Sequence, residues 1–447
     1  MNKIFPMLLA GALTAAPNLF AQGNSAAIST AEKNVQIAFE KFWAADSPTA
    51  AEKTIADIEK SGVKFDDALR ILKQGRAYAA QPGGIVLKMN RTADGIEHYY
   101  HVQLPANYDP AKKYQVRFQL HGGIGRRDDN KPRGNGDGGV GVMADGADQF
   151  YVMPYAWTSE PWWSDDQVQN IDAIVDALKR TYNVDENRVI LSGNSDGGTG
   201  AYYIAMHETT PFASVTPLIG FIMVLSNEDV DDGKIFPNNL RNKPMFVVNG
   251  TDDELYPTAI VEPFTKHLMA SGVSIDYHPQ QGAHHNTAWW PDVKDIYRKF
   301  EADHPRDPNP AKLTWETAGG RHNRAHWLVI DSLGAAAGEA ADLPDANLIP
   351  GSRHEQMFRT ARDVGRVDVV REGNTVTATT KGVTSFTLLL SPDVFDFSQP
   401  VKVVANGKEV FNGRVERNLH TLLKWAARDN DRTMLYGAEL PIKLPQK

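Results

Sequence analysis

The chain has 447 residues, 42% hydrophobic and 23% charged, which is the range of folded globular proteins and excludes a disordered, collagen-like or single small module. Its 47 Lys and Arg against 55 Asp and Glu leave a formal charge of -8, with no basic surplus for phosphates, so nucleic acid is not an expected partner. The absence of cysteine excludes disulfides, thiolate metal sites, iron-sulfur clusters and thiol nucleophiles. In chain order, Lys3 precedes an apolar run over 7–16 that is too short to span a bilayer, and a small residue, Ala21, follows Leu19-Phe20 as a cleavage point. This pattern predicts a secretory signal over 1–21 and a periplasmic or secreted protein without a membrane-spanning segment. Residues 22–80 read as a small helical region, with capping-box spacing at Ser29 and Glu32 and again at Thr49 and Glu52, and with Val35, Phe39, Phe42 and Trp43 on one face. From Gly84 the apolar period becomes two, and Ala93-Asp94-Gly95 marks a hairpin. Short apolar runs then alternate with helical patterns over 81–305, including helices near 168–182, 259–270 and 292–300, which predicts a mostly parallel, doubly wound sheet. A boundary falls between Pro305 and Lys312. Residues 306–447 read as a β-rich accessory domain, with Asn406-Gly407 as a tight turn and 334–351 as a loop rich in Ala, Gly and Pro.

The strongest local signal is Gly193-Asn194-Ser195-Asp196-Gly197, between the apolar strand 188–192 and a helix start at Gly198. A sharp strand-to-helix turn projects the serine oxygen from the end of the strand, and the glycines allow the turn. Upstream, the strand 114–120 ends at His121-Gly122-Gly123-Ile124, where main-chain N–H groups can approach a developing oxyanion. Gly123 or Ile124 is the expected donor there, beside the N–H of Asp196. A serine hydroxyl needs a base, and the base needs an acid that fixes its tautomer. The strand 244–250 runs into Thr251-Asp252-Asp253-Glu254, from which Asp253 is the first choice of acid, Asp252 the second and Glu254 the third. The next strand leads to His284 and His285, either of which serves as the base. No third ligand motif lies near these histidines, so neither metal nor cofactor is expected. Among the aromatic residues near these loops, Trp162, Trp163 and Trp289 are candidates to wall a substrate cleft. The polar loop over 126–139 offers Arg126 or Arg127 to an anionic substrate group.

With these motifs in place the chain resembles the α/β-hydrolase superfamily, in its exported esterase, dienelactone-hydrolase-like and prolyl-oligopeptidase-like group. The resemblance covers about residues 85–305 and rests on Leu120-His-Gly-Gly123, Tyr182-Asn-Val-Asp-Glu-Asn-Arg-Val189, Gly193-Asn-Ser-Asp-Gly-Gly-Thr-Gly200, Asn249-Gly-Thr-Asp-Asp-Glu-Leu-Tyr-Pro257 and His285-Asn-Thr-Ala-Trp-Trp-Pro291. In similar proteins the base follows a run of small residues ending in glycine. Gly282-Ala283-His284-His285 fits if His284 stands for that last glycine, which favours His285 and leaves His284 as the alternate. The resemblance implies an α/β-hydrolase fold between the helical region and the β-rich domain. It also implies a serine carboxylic ester hydrolase that works through Ser195, His285 and Asp253 on a small or polymer-linked ester. A peptidase of the prolyl-oligopeptidase type uses the same apparatus, and a non-catalytic glycan or envelope binding protein is the reading from another class. The motifs are specific for the fold and much less so for substrate; oligomeric state is not addressed by them.

Overall fold

The computed structural model describes residues 29–130, 147–226, 234–334, 341–344, 358 and 363–445. The expected signal, most of the polar loop after Arg126 and most of the 334–351 loop lie outside these residues. Four short helices come first: α1 (Thr30–Ala44), α2 (Pro48–Glu52), α3 (Ile55–Lys60) and α4 (Phe65–Gln74). The Ser29 hydroxyl accepts from the Glu32 N–H at 3.2 Å while Glu32 accepts from the Ser29 N–H at 2.9 Å, so the first capping box forms. The second does not. Ser47 caps α2 and Pro48 takes the first helical position, because Pro there loses no hydrogen bond and presets φ, which leaves Thr49 inside the helix.

The hydrolase-like part is an eight-stranded sheet in the order β1-β2-β4-β3-β5-β6-β7-β8. Its strands are β1 (Gly84–Arg91), β2 (Glu97–Leu104), β3 (Tyr114–Leu120), β4 (Phe150–Pro154), β5 (Val184–Asn194), β6 (Ser214–Leu218), β7 (Met245–Gly250) and β8 (Ile275–Gln280). β1 and β2 form the expected antiparallel hairpin, β2 runs antiparallel to β4, and β3 to β8 are parallel with β4. The connecting helices are α5 (Asp165–Thr181), α6 (Asp196–His207), α7 (Thr258–Ala270) and α8 (Trp290–Asp303). β7 shows how the sheet is covered. Its Met245 and Val247 enter the core made with α5, α6 and α7, while Phe246 and Val248 face Val293, Tyr297 and Phe300 of α8. A strand buried on both faces reads as a continuous apolar run, and residues 245–248 have that pattern.

The C-terminal strands are β9 (Lys312–Thr317), β10 (Arg324–Ala325), β11 (Leu328–Leu333), β12 (Gly365–Glu372), β13 (Thr375–Lys381), β14 (Val383–Leu390), β15 (Val401–Ala405), β16 (Lys408–Gly413) and β17 (Ala438–Lys443). They make a five-stranded sheet, β16-β15-β13-β12-β9, and a four-stranded sheet, β10-β11-β14-β17, that share one apolar core. Asn406 (φ 51°) and Gly407 (φ 77°) make the two-residue turn between β15 and β16, where both central residues must have positive φ. The β-rich reading missed one element, helix α9 (Leu419–Asp429), capped by Asn418. Its Leu422, Leu423, Ala426 and Ala427 complete the core of α1 to α4 with Phe39, Phe42, Ile58 and Leu72. The helical region is therefore built from both ends of the chain. Between α9 and the hydrolase-like part, buried Asp431 pairs with Arg306 (2.8 Å) and Lys179 (3.3 Å). Among the described residues no helix is long and apolar enough to cross a membrane.

Candidate active site

β5 ends at Asn194 and α6 begins at Asp196, so Ser195 is the whole connection. It has φ 55° and ψ -119°, a conformation that costs a non-glycine residue roughly 1–3 kcal/mol and persists only where its surroundings fix it. They do so here through main-chain bonds. The Ser195 N–H donates to Leu218 O and the Ser195 carbonyl accepts from Thr199 N–H, both at 2.9 Å. A Cβ at Gly193 would stand 2.0 Å from the Gly197 carbonyl oxygen, and one at Gly197 would stand 2.1 Å from that of Leu120. The two glycines thus let the ends of β3 and β5 and the start of α6 meet at backbone contact.

The loops after β7 and β8 bring Asp253 and His285 to this turn. Ser195 Oγ lies 2.8 Å from His285 Nε2, and His285 Nδ1 lies 2.8 and 3.0 Å from Asp253 Oδ2 and Oδ1. Asp253 is buried, and its Oδ1 also accepts the N–H groups of Leu255 (2.8 Å) and Tyr256 (2.7 Å). Burial works against its charge, but the hydrogen bonds from His285 and from the Tyr256 and Leu255 amides hold the carboxyl below its ordinary value. An ionised Asp253 takes a proton on Nδ1, which leaves Nε2 as the acceptor for the serine hydroxyl. The Tyr256 ring meets the imidazole edge-on at 5.4 Å between centroids. Burial, with Asp196 and Asp253 nearby, pushes the Tyr256 hydroxyl up to about 12, so it stays neutral.

The alternates stand elsewhere. His284 is exposed and its Nδ1 meets Glu254 Oε1 at 2.7 Å, while Asp252 is exposed and accepts from the Thr251 hydroxyl. Glu254, third among the candidate acids, holds the histidine loop instead: its Oε2 accepts the His285 N–H at 3.2 Å.

On the other side of Ser195, the loop after β3 separates two expected donors. The Ile124 N–H donates to Asp196 Oδ2 at 2.9 Å and is already used. Gly123 has φ 66°, and neither its N–H nor that of Asp196 meets an acceptor among the described residues. Gly122 packs under the nucleophile, since a Cβ there would lie 2.9 Å from Ser195 Cβ. His121 Nε2 accepts the Ala156 N–H at 3.1 Å, so its proton sits on Nδ1, 2.9 Å from Gly122 O. Trp162 is fully buried and donates from Nε1 to His121 O at 2.8 Å, which makes it a support of this loop and no wall of a cleft. Trp163 and Trp289 are also buried, in two of the packed cores, with their indole N–H groups unpartnered among the described residues. Arg127 is buried with its guanidinium 4.4 Å from the centre of the Tyr155 ring, and Arg126 is exposed beside Gly123. Sequence reasoning missed the second use of Asp196 and the clamp made by Glu254. Both are acidic residues directly beside a predicted site residue, and that adjacency was the only signal for them.

No family model matches the chain. A curated relative, the bifunctional acetylxylan esterase/xylanase XynS20E of Neocallimastix patriciarum, is 26% identical over 210 residues; the match covers 44% of this chain and 29% of that protein. Among solved structures, a thermostable esterase is 22% identical with a TM-score of 0.41, covering 50% of this chain and 63% of its own. An S-formylglutathione hydrolase from Agrobacterium tumefaciens is 13% identical with a TM-score of 0.40, covering 51% and 98%. The sheet order, the single-residue turn from β5 into α6 and the carboxyl-end loops that meet there are those of an α/β-hydrolase fold.

Proposed function

We propose that this chain is a serine hydrolase that cleaves carboxylic esters through an acyl-enzyme. One observation carries the reading: an unbroken hydrogen-bonded line from Ser195 through His285 to Asp253, with the main-chain N–H groups of Gly123 and Asp196, which meet no acceptor among the described residues, on the segments next to the serine. In this reading Ser195 Oγ attacks the ester carbonyl while its proton passes to His285 Nε2. The carbonyl oxygen becomes an oxyanion held by the Gly123 and Asp196 N–H groups, a contribution of about 3 kcal/mol for each donor. The C–O bond to the alcohol then breaks and His285 returns the proton to the leaving oxygen. Water, deprotonated by His285, attacks the acyl-enzyme and releases the acid and the free serine. Asp253 holds the imidazole in one tautomer and balances its charge while it is protonated. The acetylxylan esterase named among the relatives agrees with ester chemistry, and acyl preference is part of the test. Export to the periplasm or medium belongs to the same proposal and rests on the charged-then-apolar N-terminus.

Turnover of p-nitrophenyl and hydroxycinnamoyl esters, beside a proline-containing peptide amide, is to be compared between the wild type and Ser195→Ala. Ester turnover that vanishes in the variant is the expected result. Serine-dependent cleavage of the peptide alone makes the protein a peptidase, and no serine-dependent turnover at all leaves a binding protein on a hydrolase scaffold.

A further inference from the structure

We infer that the Asp196 side chain is a positioning residue, a clamp that sets the oxyanion loop; this rests on the serine hydrolase reading. Two segments have to supply the donors for a developing oxyanion: the turn into α6 and the loop after β3. They lie far apart in sequence, and the bond from the Ile124 N–H to Asp196 Oδ2, 2.9 Å, ties them side chain to main chain. Asp196 thereby serves on both sides. Its own N–H is one of the two donors without an acceptor among the described residues, and its carboxylate occupies the N–H of Ile124 on the other segment, so that the Gly123 N–H is the one left unbonded there.

The arrangement also answers an electrostatic objection. A carboxylate beside an oxyanion hole opposes the negative charge that forms there. At Asp196 that charge is engaged by the Ile124 N–H and stands in the first turn of the 12-residue helix α6, where the helix dipole stabilises it. His121 holds the opposite end of the same loop through the Ala156 N–H and Gly122 O contacts, and Trp162 donates to its carbonyl. The loop is thus pinned at both ends, and Asp196 is the pin that comes from the nucleophile's own helix.

An aspartate whose role is to accept a hydrogen bond is replaceable by asparagine and not by alanine. The test compares Asp196→Ala with Asp196→Asn, reading kcat and KM on p-nitrophenyl acetate and hydrogen exchange at the Ile124 amide. Asp196→Ala is expected to lose about 10- to 100-fold in kcat with KM little changed, because a misplaced donor is lost mainly in the transition state. Asp196→Asn, whose amide oxygen accepts the same N–H, is expected to recover most of that loss. Exchange at Ile124 should quicken in the alanine variant only. Wild-type kcat in Asp196→Ala, or an equal loss in both variants with native circular dichroism, overturns the inference. If the wild type has no Ser195-dependent turnover, the function fails separately and amide exchange still decides the clamp: unchanged protection at Ile124 in Asp196→Ala refutes it.

Discussion

Replacing Asp253 by asparagine tests the site through a single proton. Asp253 Oδ1 accepts two main-chain N–H groups, from Leu255 and Tyr256, and Oδ2 is the nearer partner of His285 Nδ1. An asparagine placed with its NH2 group at the Oδ1 position would leave two partly buried main-chain donors facing a donor, at roughly 1 kcal/mol or more each. The amide oxygen is therefore forced to Oδ1 and the NH2 group to Oδ2, 2.8 Å from His285 Nδ1. A donor there requires an unprotonated Nδ1, so the imidazole carries its proton on Nε2 and presents N–H, not a lone pair, to Ser195 Oγ. A base in the wrong tautomer costs about 10⁴ in kcat, or roughly 5 kcal/mol of barrier, while the packing is unchanged. Steady-state hydrolysis of p-nitrophenyl acetate, with a thermal melt to show that the variant folds, measures this directly. A folded Asp253→Asn enzyme within tenfold of wild-type kcat refutes both the tautomer argument and the assignment of Asp253.

The neighbours should behave differently. His284→Ala and Asp252→Ala remove exposed side chains that do not reach Ser195, and each is expected to keep kcat within about threefold, whereas His285→Ala abolishes turnover. Asp431→Ala leaves Arg306 and Lys179 buried without their carboxylate and should lower unfolding free energy by about 3–5 kcal/mol in a denaturant titration. Burial resists the charge of Asp431, yet Arg306 and Lys179 hold its carboxyl far below the ordinary value. A carboxyl with a lowered folded value stabilises above its unfolded pKa of about 3.9 and loses that stability as pH falls below it. The gap between wild type and Asp431→Asn should thus be full near neutrality and narrow below about pH 4. Leu422→Ala, in the core shared by α9 and the N-terminal helices, should cost about 2–5 kcal/mol with kcat unchanged.

What could be read in the sequence was what depends on local chemistry. The glycines of the turn at Ser195, the Ala93-Asp94-Gly95 hairpin and the Asn406-Gly407 turn are positions where backbone geometry restricts residue choice, and each carries its own signal. Alternating strands and helices gave the mostly parallel, doubly wound sheet, though the strand Ser214–Leu218 within it was not read. What could not be read depends on partners distant in the chain. Leu419–Asp429 has helical spacing, but it is a short segment among strands, and its role appears only against α1 to α4. Ile124 looked as good a donor as Gly123 because no local rule says that a carboxylate 72 residues later takes its N–H. The three tryptophans were placed at the cleft by their nearness to site loops; burial depends on what packs over them, and sequence distance does not report that.

The helix missed in the sequence has a consequence for the order in which the molecule can assemble. Among the described residues, the apolar face of helices α1 to α4 is covered by Leu422, Leu423, Ala426 and Ala427 of α9 and by Leu435, far along the chain. Short helices of this length have little stability alone in water, and closing so long a loop is slow. A chain that lacks α9 therefore leaves part of that apolar face uncovered, and the helical region is completed only when this distant segment packs on it.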